Sequence, residues 1–150
     1  MENIWIQLVS ALLGSLGFSL IFNAENKHLL LAALGGLLAW GVYLFCMRFS
    51  WMGVMMSTVI ASAISQIYSE FLARIFKAPT TVFVIPAVVP LIPGGSLYNT
   101  MYSAVIKDWV QFRYYGVQTL WGTLGIAIGL SFVSGILYIA ANHAKNKVCK

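Results

Sequence analysis

The chain has 150 residues, of which 60% are hydrophobic and only 9% are charged. Its nine basic and four acidic side chains are too few to cover the surface of a water-soluble fold of this length. The formal net charge is +5, but the basic residues stand singly between long apolar runs, so they form no basic face for nucleic acid. The composition therefore predicts an integral membrane protein surrounded by lipid bilayer.

Apolar runs without charge occur along the whole chain. A helix of roughly 20 such residues spans a hydrocarbon core about 30 Å thick. Five segments meet this criterion: residues 4–22, 29–47, 51–69, 80–106 and 116–141. We predict an all-α fold class, a polytopic membrane helical bundle that forms a single transmembrane domain over residues 1–150. The short link at residues 48–50 makes the second and third spans an antiparallel hairpin.

The polar residues after the third span predict how that helix ends. Glu70 and Arg74 are spaced for an ion pair one helical turn apart, and Lys77 completes a polar end. Pro79 then stops the helix. Lys107, Asp108 and Arg113 form the next polar connection, before the last span.

The fourth segment cannot be one straight helix. Pro86, Pro90 and Pro93 interrupt it, and Gly94 and Gly95 follow directly. Each internal proline removes a backbone hydrogen bond, and glycine adds backbone freedom. Unpaired backbone groups are tolerated at membrane depth only inside protein or along a cavity. We therefore predict two half-helices that meet at an interior break.

Small residues recur at helical spacing and predict close contacts between helices. The three sets are Gly125 with Gly129, Ser131 with Gly135, and Ser57 with Ala61 and Ser65.

The distribution of Lys and Arg predicts the orientation of the spans in the cell (inner or plasma) membrane. With five spans, one side carries Lys27, Arg74, Lys77, Lys145, Lys147 and Lys150, and the other carries Arg48, Lys107 and Arg113. This bias predicts an external N-terminus and a cytoplasmic C-terminus. A re-entrant fourth segment would leave a split of five to four, which indicates no orientation.

The stretch after the break carries the chemistry that suggests a binding site. Ser96 is a good N-cap, and the helix that begins there would direct free amides and a partial positive charge at the membrane interior. Such a helix end favours a carboxylate. Tyr98, Asn99 and Thr100 add neutral donors and acceptors within one turn. The predicted substrate-binding residues are Pro93, Gly94, Gly95, Ser96, Tyr98 and Asn99. The alternative is a proline kink whose backbone groups are satisfied by neighbouring helices.

Ionisable residues inside the spans would indicate a coupling site, but the carboxylates all lie near predicted span ends. Glu70, Lys107 and Asp108 are the candidates for coupling or gating; the alternatives are an interfacial ion pair for Glu70 and a solvated loop for the other two. Cys46 and Cys149 form no CxxC pair, so we expect no metal and no cofactor.

The motif Pro90-x-x-Pro93-Gly94 is followed by Tyr98, Met101 and Ser103-Ala104-Val105, and Phe22-Asn23 and Lys27 follow the first span. This combination resembles the threonine/serine exporter (ThrE) family, and the size and five-span layout resemble its short, YjjB-like subunit. The resemblance implies a secondary exporter of small amino acids such as threonine and serine, or of a dicarboxylate such as succinate. It also implies a larger membrane partner subunit that carries the other half of the transporter.

An odd number of spans agrees with that implication, because two related five-span halves in series must face opposite ways, as in many transporters. Our mechanistic hypothesis is alternating access around the break. Three competing interpretations are a channel, a non-transporting accessory protein, and an intramembrane protease that uses Ser96 with His143. Since His143 lies beyond the last span, we predict that the chain is not an enzyme. A homo-oligomer is a further candidate assembly.

Overall fold

A computed structural model describes residues 3–22, 26–49 and 53–148, with only the backbone described at residues 26–27 and 141–148. The helices in these ranges are α1 (Ile4–Ile21), α2 (Asn26–Met47), α3 (Val54–Phe76), α4 (Thr81–Val88), α5 (Gly94–Val105) and α6 (Trp109–Val148). A short 3₁₀ turn, Val89–Leu91, joins α4 to α5. The predicted all-α fold class is confirmed, since the described ranges are mostly helical and contain no strand.

Four of these helices are long and apolar enough to cross a membrane: α1, α2, α3 and α6. The α4 and α5 helices pass the same test as a pair, bent by 53° at the break between them. The link between the first two predicted spans, residues 23–28, falls largely outside the described residues, and α2 begins at Asn26.

Helix directions show that the α4–α5 pair crosses the bundle once. Gly125 of α6 lies against Thr58 of α3, and Gly129 lies against Ser62. Residue numbers rise in the same direction along both helices at this contact, so α6 runs parallel to α3. We call the end of the bundle where α3 begins the first end, and the end where it finishes the second end. The chain leaves α3 at the second end and enters α6 at the first, so the segment between them is a broken span rather than a re-entrant loop.

The first two helices run antiparallel to each other. Gly36 packs against Ser15 and Gly41 faces Leu8, so α1 starts at the first end, where α2 finishes. The start of α1 and the end of α6 therefore lie at opposite ends of the bundle. Which end faces the cytoplasm remains a prediction from the charge distribution.

The contact between α3 and α6 is made by small residues. A Cβ atom added at Gly129 would overlap Ser62 Oγ and lie 2.6 Å from the Val59 carbonyl oxygen, so only glycine permits this approach. The predicted contact face at Ser57, Ala61 and Ser65 is buried. The prediction is wrong for Ser131 and Gly135: Ser131 is exposed, and no described atom lies within 4 Å of a Cβ added at Gly135.

The serine-rich face of α3 satisfies its own hydroxyls. Ser65 Oγ donates to the Ala61 carbonyl at 2.8 Å, and Ser69 Oγ donates to the Ser65 carbonyl at 2.8 Å. Such bonds to the preceding turn remove the cost of burying a hydroxyl away from water. A buried polar face can therefore pack against other helices at membrane depth.

The third span continues past its predicted limit at residue 69. The α3 helix ends at Phe76, where Lys77 takes a left-handed conformation with φ 51° two residues before Pro79. The predicted Glu70–Arg74 pair is present at 3.3 Å, within this last part of the helix. Because the two charges neutralise each other along one helix face, they do not end the helix.

The last span begins earlier than predicted. Residues 106–108 alone connect α5 to α6, and Arg113 lies inside α6 rather than in the connection. Asp108 explains the difference, because its Oδ1 accepts the backbone N–H groups of Val110 and Gln111, both at 3.2 Å. A carboxylate at this position caps a helix and favours its N-terminal dipole.

Candidate functional site at the helix break

The break in the fourth segment comes at residues 89–93. After the 3₁₀ turn, Ile92 has an extended conformation (φ −62°, ψ 123°), and α5 follows Pro93 directly. Pro90 and Pro93 lie in this break as predicted. Pro86 was also predicted to break the helix, and that prediction is wrong, because α4 continues through Pro86 to Val88. A single proline near a helix start removes one N–H bond and leaves the neighbouring bonds intact.

Ser96 is not the N-cap of α5, which corrects the prediction. The cap is Pro93, and Gly94 begins the helix. The helix gains this extra length because both glycines adopt negative φ values, and the Gly94 N–H donates to the Ile92 carbonyl at 2.7 Å. Gly95 and Ser96 therefore occupy the second and third helical positions, where an α-helix supplies no acceptor for the backbone N–H. The amide-rich helix end remains, three residues earlier than predicted.

A cavity of about 230 Å³ adjoins this helix end. We call it the break cavity. Its walls come from α2, α3, α6 and the break: Trp40, Tyr43, Val54, Thr58, Pro90, Leu91, Ile92, Pro93, Gly94, Gly95, Ser96, Gln118 and Gly122. Since Val54 is the first residue of α3, the cavity lies toward the first end of the bundle.

The structure brings together four of the six predicted binding residues: Pro93, Gly94, Gly95 and Ser96. Tyr98 and Asn99 do not line the break cavity. The Tyr98 side chain is 69% exposed on the outer face of α5, where its ring stacks on Tyr102 at 6.4 Å. Asn99 is half-buried beside it. Asn99 follows Ser96 by three residues and lies near it on the helix surface, but only Ser96 lines the break cavity.

Four polar or aromatic residues of the cavity wall are absent from the prediction: Trp40, Tyr43, Thr58 and Gln118. Gln118 could have been predicted as a site residue from the sequence, because it is the one amide side chain between residues 116 and 141. Thr58 lies beside the small-residue face of α3. Trp40 and Tyr43 are three residues apart on α2 and stack on each other at 5.1 Å. Aromatics in the middle of an apolar run give no sequence signal that separates a cavity wall from ordinary packing.

The three candidates for coupling or gating lie away from the break cavity. Glu70 is at the second end, where its Oε2 accepts the Thr80 hydroxyl at 2.9 Å in addition to the Arg74 contact. This bond ties the end of α3 to the start of α4. Lys107 and Asp108 are at the first end, where Lys107 has φ 60° and Asp108 caps α6. Each has a structural role, and a coupling role for any of them stays a prediction.

Substitution of Asp108 separates capping from proton coupling. We expect Asp108→Asn to leave efflux and thermal stability close to those of the unsubstituted chain, because an amide oxygen also accepts the two N–H bonds. Asp108→Ala should lower stability by about 1 kcal/mol. The measurement is thermal unfolding of the purified chain, together with efflux from vesicles. Loss of efflux in Asp108→Asn without loss of stability would instead support a role in coupling.

The chain matches the model of one known family. A family model described as "Threonine/Serine exporter, ThrE" matches residues 7–136, which include every described wall residue of the break cavity. The chain belongs to the threonine/serine exporter family. The match confirms the resemblance inferred from the proline motif and indicates an exporter-type transporter. No solved structure matches the chain.

Membership of the ThrE family also bears on the protease hypothesis. The family is one of transporters rather than enzymes. Ser96 lies in the wall of the break cavity, and His143 falls in the part of α6 whose side chains are not described.

Proposed function

We propose that the chain is a subunit of a secondary exporter of threonine and serine and that the break cavity is its solute site. The supporting observation is the position of the α5 N-terminus, whose Gly95 and Ser96 lie in the cavity wall. Pockets for drug-sized ligands occupy about 300–1,000 Å³. The break cavity, at about 230 Å³, suits a smaller solute.

The chemistry of the wall suits a zwitterion that is held weakly. The N–H groups of Gly95 and Ser96 meet the carboxylate at the positive end of the helix dipole. Oxygen atoms of Gln118, Thr58 and Tyr43 are acceptors for the ammonium group. The described wall contains no charged side chain, so no strong ion pair holds the solute. Weak neutral contacts allow a carrier to release its solute on the far side.

Alternating access requires that the cavity closes at the first end and opens at the second. Between the cavity and the second end, Ala39, Ala61 and Leu91 pack together as a buried cluster. These three residues form the barrier between the cavity and the second end. They must move apart when the carrier opens toward the second end. The 3₁₀ turn contributes Leu91 to this barrier, so movement at the break changes the barrier and the cavity together.

The larger partner subunit remains part of the proposal. Five crossings place the two ends of the chain on opposite sides of the membrane, so a related second half would have the inverted orientation typical of transporters. Two opposed halves would then share the transport path between them.

A dicarboxylate such as succinate is the alternative solute. Its second carboxylate would need a cationic partner, and the described cavity wall offers none. The wall therefore favours threonine and serine over succinate.

Reconstitution tests the proposal. The tagged chain is purified in mild detergent with any partner, and the complex is tested in vesicles for efflux of serine, threonine and succinate. We expect counterflow of serine and threonine. Succinate flux alone would favour the alternative solute. Electrical conductance by the chain alone would indicate a channel, and absence of any flux from the complex would favour an accessory role.

Substitutions in the cavity wall test the location of the site. Ser96→Ala removes a hydroxyl donor beside the carboxylate, and Gln118→Leu removes an acceptor for the ammonium group. We expect each to raise the half-saturating solute concentration by roughly three- to tenfold, the effect of losing one hydrogen bond. The matched control is Tyr98→Phe on the outer face of α5, which should have no effect. Asn99→Ala should have a smaller effect than Ser96→Ala. The reverse order, with the amount of assembled protein unchanged, would place the site further along α5 instead.

A further inference from the structure

A second cavity, of about 660 Å³, lies on the other side of the break. We call it the α1 cavity. Its polar lining comes from one face of α1 and the residue before it: Asn3, Gln7 and Ser10. Asn3 lies at the first end of the bundle, so both cavities reach toward the same side of the membrane. Nothing in the proposed function uses this space.

Trp40 and Pro90 are common to both cavities. A residue that lines two cavities forms part of the wall between them, so the Trp40 ring and the Pro90 ring separate the α1 cavity from the break cavity. Pro90 belongs to the 3₁₀ turn, whose hydrogen bonds are weaker than those of an α-helix. The wall is therefore built on a part of the backbone that can shift.

The Trp40 side chain has an unused donor. Its ring is held by stacking on Tyr43 at 5.1 Å with an angle of 30° between the rings. Its Nε1 atom is buried, and no described atom accepts its hydrogen. A buried N–H without an acceptor is unfavourable, so an acceptor supplied by a solute would restore the lost free energy.

We propose that the α1 cavity is a second binding station for small zwitterionic amino acids and that Trp40 is the movable partition between the two stations. The indole N–H donates to the solute carboxylate as the solute passes from one cavity to the other. The amides and the hydroxyl of Asn3, Gln7 and Ser10 then hold the solute without a charged partner. This inference rests on the proposed function, because it assigns a second position on the same transport path.

Cysteine protection tests the proposal in membranes from cells that express the full chain with Cys46 and Cys149 replaced by Ala. Single cysteines are introduced as Ser10→Cys for the α1 cavity, Ser96→Cys for the break cavity and Gln111→Cys as an exposed control outside both. A small water-soluble maleimide reacts with each, with and without saturating serine. We expect serine to slow the reaction about fivefold at positions 10 and 96 and to leave position 111 unchanged.

Substitution of Trp40 supplies a second readout. Trp40→Phe keeps an aromatic ring but removes the N–H, so the serine concentration for half-maximal protection at position 10 should rise about tenfold. Trp121→Phe, an exposed tryptophan on α6, is the matched control and should change nothing.

Each remaining outcome contradicts the proposal. Protection at position 96 without protection at position 10 would remove the second station and leave the proposed function intact. A cysteine at position 10 that never reacts would show that the α1 cavity holds no water. Unchanged protection in Trp40→Phe would exclude the indole N–H as a donor. Absence of protection at both positions by serine, threonine and succinate would count against the proposed function as well.

Discussion

Replacement of Gly129 by Val should prevent the bundle from assembling. A Cβ atom there overlaps Ser62 Oγ and lies 2.6 Å from the Val59 carbonyl oxygen and 3.2 Å from the Ala63 nitrogen. Two of these three neighbours are backbone atoms, which cannot rotate away as a side chain would. The α3 and α6 helices must then separate along their whole contact. Overpacking usually lowers the free energy of unfolding by about 1–3 kcal/mol, and we expect a decrease at or above the upper end of that range.

The measurement is the amount of monodisperse protein after extraction in mild detergent, followed by its thermal unfolding. Gly135→Val is the matched control, since it adds the same side chain to the same helix where no described atom lies within 4 Å. It should extract and unfold like the unsubstituted chain. Equal behaviour of the two variants would show that α6 does not pack on α3 through Gly129.

Replacement of Gly95 by Val should abolish efflux without harming assembly. Gly95 lines the break cavity, and a Cβ atom added there meets no described atom within 4 Å. The side chain therefore fits without strain and occupies space that the solute needs. Valine has a better helix propensity than glycine, so α5 does not lose stability. In a cavity of about 230 Å³, we expect efflux of serine and threonine to fall at least tenfold.

A graded series makes this result specific. Gly95→Ala adds one methyl group and should reduce efflux less than Gly95→Val, while Gly135→Val should leave efflux unchanged. The amount of protein extracted from the membrane must be equal for all four chains. Full efflux by Gly95→Val would mean that the solute does not pass the start of α5.

Much of the architecture could be predicted from the sequence, because lipid imposes a simple rule on it. A span must be apolar for about 20 residues, and every backbone group must be satisfied. The rule predicts α1 and α2 closely, and it also predicts the break, since Pro90 and Pro93 remove two donors within four residues. Glycine spacing on α6 predicts a close contact between helices, because glycine permits close approach of backbones, but it does not identify α3 as the partner.

The details of helix ends could not be predicted in the same way. Whether Ser96 or Pro93 caps α5 depends on the conformation of two glycines, which the sequence leaves free. Asp108 extends α6 back by seven residues from the predicted start, because capping outweighs the polar character of the connection.

The residues that α2 and α6 contribute to the break cavity could not be assigned to it from the sequence either. Ser96 and Gly95 are neighbours in the chain, so the local motif identifies them. Trp40 of α2 and Gln118 of α6 reach the same cavity only through the packing of four segments. Without knowledge of which helix faces contact each other, an amide in one span and an indole in another cannot be assigned to one site. Tyr98 shows the opposite error, because closeness in sequence does not place a side chain on the same face.

The hydroxyl bonds of α3 have a mechanical consequence. Nearly all of them stay within the helix, as for Thr58, which bonds to the Val54 and Met55 carbonyls at 2.8 Å. Among the described residues of α3 and α6, the single such bond between the two helices is the long one from Ser62 to the Gly125 carbonyl, at 3.4 Å. A displacement of α6 by the four residues between its two glycines, about 6 Å, would bring Val133 or Trp121 to a place where a glycine now lies against α3. Few hydrogen bonds across the interface oppose a movement of α6, so the fit of its two glycines against α3 sets the register of the two helices.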